Sequence, residues 1–190
     1  MGSALQVLSG DVAGFVYRQQ SDGSVVLAKR TLPDPNREFS EAQEEQQQKF
    51  KDASARYRRL IEDADILESY QKLVDARGSK SRMRAIVMGD ILKAPKVSTI
   101  DLSGYQGMVG DPIRVIAEDS VGVCKLSLSV FDVTGNDMLE SAEMAMNGQV
   151  LSSVEWVYQA TVAAVTGHQI EVRVTAADLA GNVSTDAKSN

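Results

Sequence analysis

The chain has 190 residues, of which 43% are hydrophobic and 5% aromatic, so it contains enough apolar material for one sizeable domain or two small ones. This composition favours a folded chain over a disordered one, and no run of about 20 apolar residues is present that would cross a bilayer. The net charge of −6 is unevenly divided: residues 1–95 carry 15 basic and 14 acidic residues, and residues 96–190 carry 5 and 12. The acidic second half repels phosphate backbones and disfavours nucleic acid as a partner.

The first ten residues have no basic flank, no continuous apolar segment and no clear small-residue cleavage site. We therefore expect synthesis in the cytoplasm without a signal peptide, and the sequence leaves the final location open. Cys124 is the single cysteine, so it cannot form a disulfide within the chain, which agrees with a reducing compartment.

A β-hairpin is predicted near the start of the chain, within an N-terminal arm that spans residues 1–38. Two β-prone runs, Val12–Gln20 and Val25–Arg30, flank the turn sequence Ser21-Asp22-Gly23-Ser24, and Asp-Gly is a preferred pair in tight hairpin turns. A two-stranded ribbon of this length is not stable alone. We therefore expect it to pack on this chain or on another, through the apolar positions Phe15, Tyr17, Val25 and Leu27.

A small helical unit is predicted over residues 39–95. Ser40 and Gln43 have the spacing of a capping box, which predicts a helix that begins near Glu41. Apolar residues then recur every three or four positions, which predicts a second helix ending at Gly78. A third helix is expected from about Ser81 to Ala94, before Pro95.

Residues 96–190 change to a period of two, which is typical of half-buried strands. Ile113, Val115 and Ala117 alternate with polar residues, and the same pattern recurs around 124–130, 154–160 and 170–176. Turn signals separate the runs, one of them at Asp119-Ser120. Short strands at this spacing predict an immunoglobulin-like β-sandwich, so the expected fold class is α+β, with the hairpin and helices preceding the sandwich.

The final segment, Val172-Arg-Val-Thr-Ala-Ala-Asp-Leu-Ala-Gly-Asn-Val-Ser184, resembles the last two strands of bacterial Ig-like repeats, in which Asp-x-x-Gly-Asn forms the connecting turn. The segment Asp101-Leu-Ser-Gly-Tyr-Gln-Gly-Met-Val-Gly-Asp-Pro-Ile-Arg-Val115, with the hairpin and the capping box, resembles a loosely defined group of uncharacterised bacterial proteins. Those proteins join an N-terminal hairpin, a helical middle and a C-terminal Ig-like domain. The resemblance implies an architecture and leaves function open.

Residues suited to catalysis are few. His168 is the single histidine, and its place after a Thr-Gly turn predicts an ordinary surface residue. Cys124 falls on the apolar side of a predicted strand, where a cysteine behaves as a small hydrophobe. We therefore expect no catalytic residue and no cofactor, and a site for a transition metal is disfavoured.

Calcium is the serious ionic alternative, because oxygen ligands stand at predicted strand ends, where the loops of a sandwich meet. These residues are Asp101, Glu118, Asp119, Asp178 and Asn182. Asp and Asn also favour turns for their own reasons, and no EF-hand spacing is present. The interpretation adopted from the sequence is that they form turns, so no metal site is predicted.

Three basic residues, Arg77, Arg82 and Arg84, form a stretch without an acidic neighbour and could attract an acidic surface. Together with the hairpin they predict a non-enzymatic structural subunit that binds itself or another structural protein. A homo-oligomer, a filament or a phage-like particle would each suit this prediction. The alternative is an Ig-like recognition module whose loops bind a glycan or a protein.

Overall fold

A computed structural model describes residues 10–12, 14–19, 23–30, 34, 36–78, 83–146 and 149–190. The chain divides into two compact units, residues 1–44 and 45–190. The sheet of the second half and most of the helical residues therefore belong to one unit. The domain boundaries near residues 38 and 95 that the sequence predicted stay a prediction.

The N-terminal unit contains an antiparallel sheet in the order β1-β2-β3, formed by Gly10–Val12, Phe15–Gln19 and Val25–Lys29. The predicted hairpin between the last two strands is confirmed, and a short third strand joins it. Gly23, the third residue of the predicted turn, has a φ of +86°, a backbone conformation that glycine adopts without a steric penalty. The preceding turn residues Ser21 and Asp22 lie outside the described residues.

Three helices follow in the described ranges: α1 (Glu41–Leu60), α2 (Ala64–Arg77) and α3 (Met83–Leu92). The predicted capping box is confirmed, because the Gln43 N–H donates to Ser40 Oγ (3.4 Å) and the Ser40 N–H donates to Gln43 Oε1 (3.2 Å). Helix α2 begins after Asp63, whose Oδ1 accepts from two backbone N–H groups, and ends at Gly78 as predicted.

In the described residues that follow, six strands form a curled antiparallel sheet. Its strands are β4 (Lys96–Asp101), β5 (Pro112–Asp132), β6 (Asp137–Glu143), β7 (Leu151–Gln159), β8 (Ile170–Asp178) and β9 (Val183–Ser189). The first half of β5 pairs with β4 and β7, and its second half pairs with β6 and β8. Strand β9 pairs with β8, and Lys188 Nζ donates to the Ile100 carbonyl of β4 (2.9 Å). The predicted α+β class is thus confirmed.

The structure corrects the sequence-based strand assignment in two places. The turn predicted at Asp119-Ser120 lies inside the continuous strand β5, where the register shifts between Glu118 and Val123. Asp119 caps this bulge by accepting backbone hydrogen bonds, so the segment bends without leaving the sheet. Strand β6 was not predicted, because its sequence, Asp-Met-Leu-Glu-Ser-Ala-Glu, has no clean alternation.

Among the described residues of the second unit, two hydrophobic clusters hold the structure together. The larger lies within the sheet and contains fully buried residues from β5 and β8, among them Ile113, Leu126 and Val172. The smaller joins all three helices to the sheet and consists of Ala53, Tyr70, Ile86, Val87, Ile91, Val121 and Ala180. The helices therefore cover the sheet at two points, Val121 in β5 and Ala180 in the turn between β8 and β9.

Candidate functional site

A cluster of three buried aspartates lies where the helices meet the sheet. Asp90 comes from α3, Asp119 from the bulge of β5 and Asp178 from the end of β8, and their exposed fractions are 0%, 7% and 3%. One carboxylate oxygen of each residue lies within 4.8 Å of those of the other two. Buried carboxylates are rare unless paired, so this arrangement, hereafter the carboxylate cluster, is the strongest candidate site in the described part of the chain.

Local structure fixes the direction of each carboxylate. The Asp119 Oδ2 atom accepts the N–H groups of Val121 (2.6 Å) and Gly122 (2.7 Å), which form the β5 bulge. Gly122 is required there, because a Cβ at this position would clash with Val150 Cγ1.

Asp178 occupies the turn that the sequence marked as Asp-x-x-Gly-Asn. The Asn182 side chain and backbone N–H donate to its two oxygens, at 2.8 and 2.7 Å. Both oxygens of Asp178 are therefore held by the residue that closes the turn.

Asp90 connects the helices to this turn. Its Oδ2 atom accepts from the hydroxyl of Tyr70 on α2 and from the N–H of Ala180 (3.0 Å). The Asp90 carbonyl accepts from Asn182 Nδ2 (2.6 Å), and Arg56 of α1 donates to Asn182 Oδ1 (2.9 Å) and to the Ala180 carbonyl. Helices α1 and α3 therefore form hydrogen bonds to the turn between β8 and β9, and α2 forms one to α3.

The electrostatics of the cluster are unfavourable when all three groups are ionised. At an effective dielectric constant of about 20, two unit charges about 4.8 Å apart repel by roughly 3.5 kcal/mol. Burial raises the pKa of Asp90 to about 6, against the lowering effect of the Tyr70 hydrogen bond. Burial also raises the pKa of Asp178, although the bonds from Asn182 and the charge of Arg56 partly oppose it. A positive charge or a proton among the three carboxylates would relieve this repulsion.

Two carboxylate oxygens of the cluster have no hydrogen-bond donor among the described residues. They are Asp90 Oδ1 and Asp119 Oδ1, and both are buried. The second oxygen of each residue is held by two donors from the chain. An unsatisfied buried carboxylate oxygen is costly, so each of these atoms is available for a ligand.

Of the five oxygen ligands that the sequence marked as calcium candidates, the structure brings three together. Asp119 and Asp178 belong to the carboxylate cluster, and Asn182 lies beside it as a hydrogen-bond partner. Asp101 instead accepts the Ser103 N–H (2.9 Å) in another turn, and Glu118 is exposed. Asp90 was missed, although an aspartate on the apolar side of a short helix, between Val87 and Ile91, was a signal for it.

Three proposed assembly residues of the N-terminal sheet, Phe15, Val25 and Leu27, share one face. The register pairs Phe15 with Lys29, and Val25, Leu27 and Lys29 alternate along β3 on the same side of the sheet. Phe15, Val25 and Leu27 are exposed, at 41%, 57% and 53%. The side chain of Tyr17 lies outside the description.

The three basic residues are not equivalent in the structure. Arg77 ends α2 and donates to the carbonyls of Ser120 (2.9 Å) and Val121 (3.2 Å), so it fastens that helix to the β5 bulge. Arg84 is exposed, and its guanidinium lies 5.5 Å from the ring centre of Tyr57. Arg82 lies outside the described residues.

The single histidine and the single cysteine of the chain lie in different parts of the sheet unit. His168 Nδ1 lies 2.6 Å from Oδ2 of the buried Asp132. His168 is therefore partly buried and has a side-chain partner, whereas the sequence predicted an ordinary surface residue. Cys124 is half-buried, and burial, followed by the charges of Asp178 and Asp90, raises the pKa of its thiol. A raised pKa keeps the thiol protonated and unreactive.

Neither a scan against models of known protein families nor a search of curated proteins finds a match for this chain. In the described ranges, none of the helices combines the length and the apolar character that a bilayer crossing requires.

Proposed function

We propose that this chain is a non-enzymatic structural subunit that assembles with further copies of itself through its N-terminal sheet. In this proposal the curled sheet of the second unit is an Ig-like sandwich that the assembly displays. The observation that carries the proposal is strand β3, in which all five residues are exposed although three of them, Val25, Val26 and Leu27, are large and apolar.

Strand β3 also has the backbone chemistry of an assembly edge. It lies at the end of the sheet order β1-β2-β3, and among the described strands it pairs with β2 alone. An edge strand presents N–H and C=O groups that a strand of another molecule can pair with. Natural edge strands that avoid such pairing carry charges or proline, whereas the charge of β3 is confined to Lys29 at its end.

A second copy of this chain is the occupant that the charge distribution favours. Residues 96–190 carry 5 basic and 12 acidic residues, whereas residues 1–95 are nearly neutral. Arg84, which is exposed on α3, would favour the acidic half of a neighbour in a head-to-tail contact. Because the Debye length is about 10 Å at 0.1 M salt, this attraction should set orientation and association rate, and the apolar strand should supply affinity.

The absence of catalysis in this proposal is supported by the surroundings of the two reactive side chains. The His168 ring contacts Asp132, and no hydroxyl or thiol of the described residues bonds to it. The Cys124 thiol has a raised pKa. The Cys124 thiol is therefore not prepared to act as a nucleophile, and the described residues place no hydroxyl or thiol against His168 for it to activate.

The assembly proposal is tested by light scattering after size exclusion of the full-length protein over a range of concentrations. We expect oligomers in the wild type and monomers in the double variant Val25→Lys/Leu27→Lys, because charges on an edge strand block strand pairing. Val165→Lys is the matched control, since Val165 is equally exposed, at 55%, but lies in a loop. Deletion of residues 1–32 should likewise give a folded monomer.

Arg84→Glu should weaken assembly most at low salt, where screening is least. A wild type that stays monomeric at high micromolar concentration at every salt concentration would refute the assembly proposal. The alternative, an Ig-like recognition module that binds a glycan or a protein, would then take its place. Equal loss of assembly in Val165→Lys and in the β3 variant would show that β3 is not the contact.

A further inference from the structure

We infer that the carboxylate cluster of Asp90, Asp119 and Asp178 binds one hard divalent cation, with Ca²⁺ as the ion of best fit. This site is independent of the assembly proposal, because all its residues lie within residues 45–190. Its bound ion would tie helix α3 to strands β5 and β8.

The spacing of the oxygens fits a single calcium ion. Calcium binds protein oxygens at about 2.3–2.6 Å, so two oxygens on the same ion can be at most about 5.2 Å apart. The three carboxylates offer oxygens that lie within 4.8 Å of one another, which meets this limit. Magnesium binds at about 2.0–2.1 Å, demands near-ideal octahedral geometry and retains several waters. A site this deeply buried therefore favours calcium over magnesium.

The hydrogen-bond pattern provides an independent argument for a ligand. Asp90 and Asp119 are more than nine-tenths buried, yet Oδ1 of each has no donor among the described residues. In both residues the chain holds Oδ2 with two donors and leaves Oδ1 free. Hydrogen bonds to one carboxylate oxygen orient the group so that its other oxygen can bind a metal, as they do around the ligands of known metal sites. The free oxygens are thus the expected points of contact with the ion.

The balance of charge sets the valence of the ion. The three carboxylates carry three negative charges when ionised, and Arg56 places one positive charge on the adjacent turn through Asn182 and Ala180. A net charge of about minus two remains, which one divalent cation neutralises. A monovalent ion would leave this buried group charged.

Asp119 borders a cavity at the surface. Asp119 lies in the wall of a cavity of about 330 Å³ that is also lined by Lys93, Lys96 and Glu118. Because Asp119 is the least buried of the three aspartates, we expect an ion to enter the carboxylate cluster from the β5 side. The two lysines reduce the attraction at the entrance, so we expect a dissociation constant on the order of micromolar, as in moderate-affinity calcium sites.

The first experiment measures the melting temperature of the full-length protein after metal removal and exchange into metal-free buffer. Addition of Ca²⁺ at an excess of about 100-fold over its dissociation constant should raise the melting temperature by about 5–10 °C. Magnesium at the same concentration should have a smaller effect, and sodium at the same ionic strength should have none. An equal shift with magnesium would overturn the assignment to calcium.

Asp119→Asn is the decisive variant, and Asp101→Asn is its matched control. The asparagine oxygen can still accept from Val121 and Gly122, while its amide group would meet the ion where Oδ1 now stands. We expect Asp119→Asn to lose the calcium shift and to melt in EDTA no lower than the wild type, because one repulsive charge is gone. Asp101 lies outside the carboxylate cluster, so its variant should keep the shift. Loss of the shift in both variants alike would place the site elsewhere and refute the inference.

A second readout does not depend on a variant of the carboxylate cluster. Tb³⁺ replaces Ca²⁺ at oxygen sites and emits when a nearby tyrosine is excited, and the Tyr70 hydroxyl bonds to Asp90. We expect Tb³⁺ emission that Ca²⁺ suppresses by competition, and Tyr70→Phe should reduce the emission while calcium binding measured by titration calorimetry persists. A wild type with neither a calcium shift nor Tb³⁺ emission would show that the cluster holds only a proton or water, which would refute the inference.

Discussion

Substitution of Tyr70 by Phe probes the hydrogen bond that connects helix α2 to Asp90. Tyr70 and Asp90 are both fully buried, so water cannot replace the hydroxyl once it is removed. The ring is retained, so the gap left behind is only the size of a hydroxyl, and Asp90 Oδ2 keeps the hydrogen bond from the Ala180 N–H at 3.0 Å. The change therefore isolates one buried hydrogen bond to a carboxylate.

The expected loss follows from the energy of such a bond. Hydrogen bonds to charged groups contribute about 1.5–3 kcal/mol, and Phe avoids the cost of burying a hydroxyl, which favours the lower part of this range. We expect Tyr70→Phe to lower the free energy of unfolding by about 2 kcal/mol. For a protein of this size, this corresponds to a fall of about 4–8 °C in the melting temperature.

Urea unfolding in EDTA, followed by circular dichroism, measures this difference. The dependence of the unfolding free energy on urea should stay unchanged, since the same surface is exposed. Tyr57→Phe is the matched control, because Tyr57 is a partly buried helical tyrosine whose hydroxyl has no hydrogen-bond partner among the described residues. It should change stability by less than about 0.5 kcal/mol. If Tyr70→Phe were as stable as the wild type, the hydrogen bond to Asp90 would not hold α2 in place.

Two further predictions concern the β5 bulge and the contact between His168 and Asp132. Gly122→Ala should lower the free energy of unfolding by about 1–3 kcal/mol, because the added Cβ would clash with Val150. Gly89→Ala, whose Cβ would point into open space on α3, should raise the free energy of unfolding by about 0.5–1 kcal/mol. Chemical denaturation measures both values, and a change of the same sign in the two variants would contradict this reasoning. The Gly135 N–H, and then His168, hold the pKa of Asp132 below its ordinary value of 3.8, so its stabilising effect is present above that value and lost as pH falls. Between about pH 5 and about pH 3, the melting temperature should therefore fall further in the wild type than in Asp132→Asn. An equal fall in melting temperature in the two proteins would contradict this prediction.

Local features of the sequence were sufficient to predict most elements. The capping box at Ser40 and Gln43, the helix end at Gly78 and the alternation along β8 all depend on residues within a few positions of one another. The physical cause of each, a satisfied terminal N–H, a positive φ or a buried face, acts over the same short range. The α+β class followed from these local patterns.

The features that depend on contacts between distant parts of the chain were determined only by the tertiary structure. The sequence predicted a turn at Asp119, and its side chain does accept nearby backbone N–H groups as a turn residue would. Pairing with β7 and β8 nevertheless keeps this segment within one bent strand. The carboxylate cluster depends on residues far apart in sequence, with Asp90 bonding to Ala180 across 90 positions. Burial and mutual repulsion of three carboxylates arise only once the helices pack on the sheet, so the sequence by itself could mark Asp119 and Asp178 as oxygen ligands but could not bring Asp90 to them.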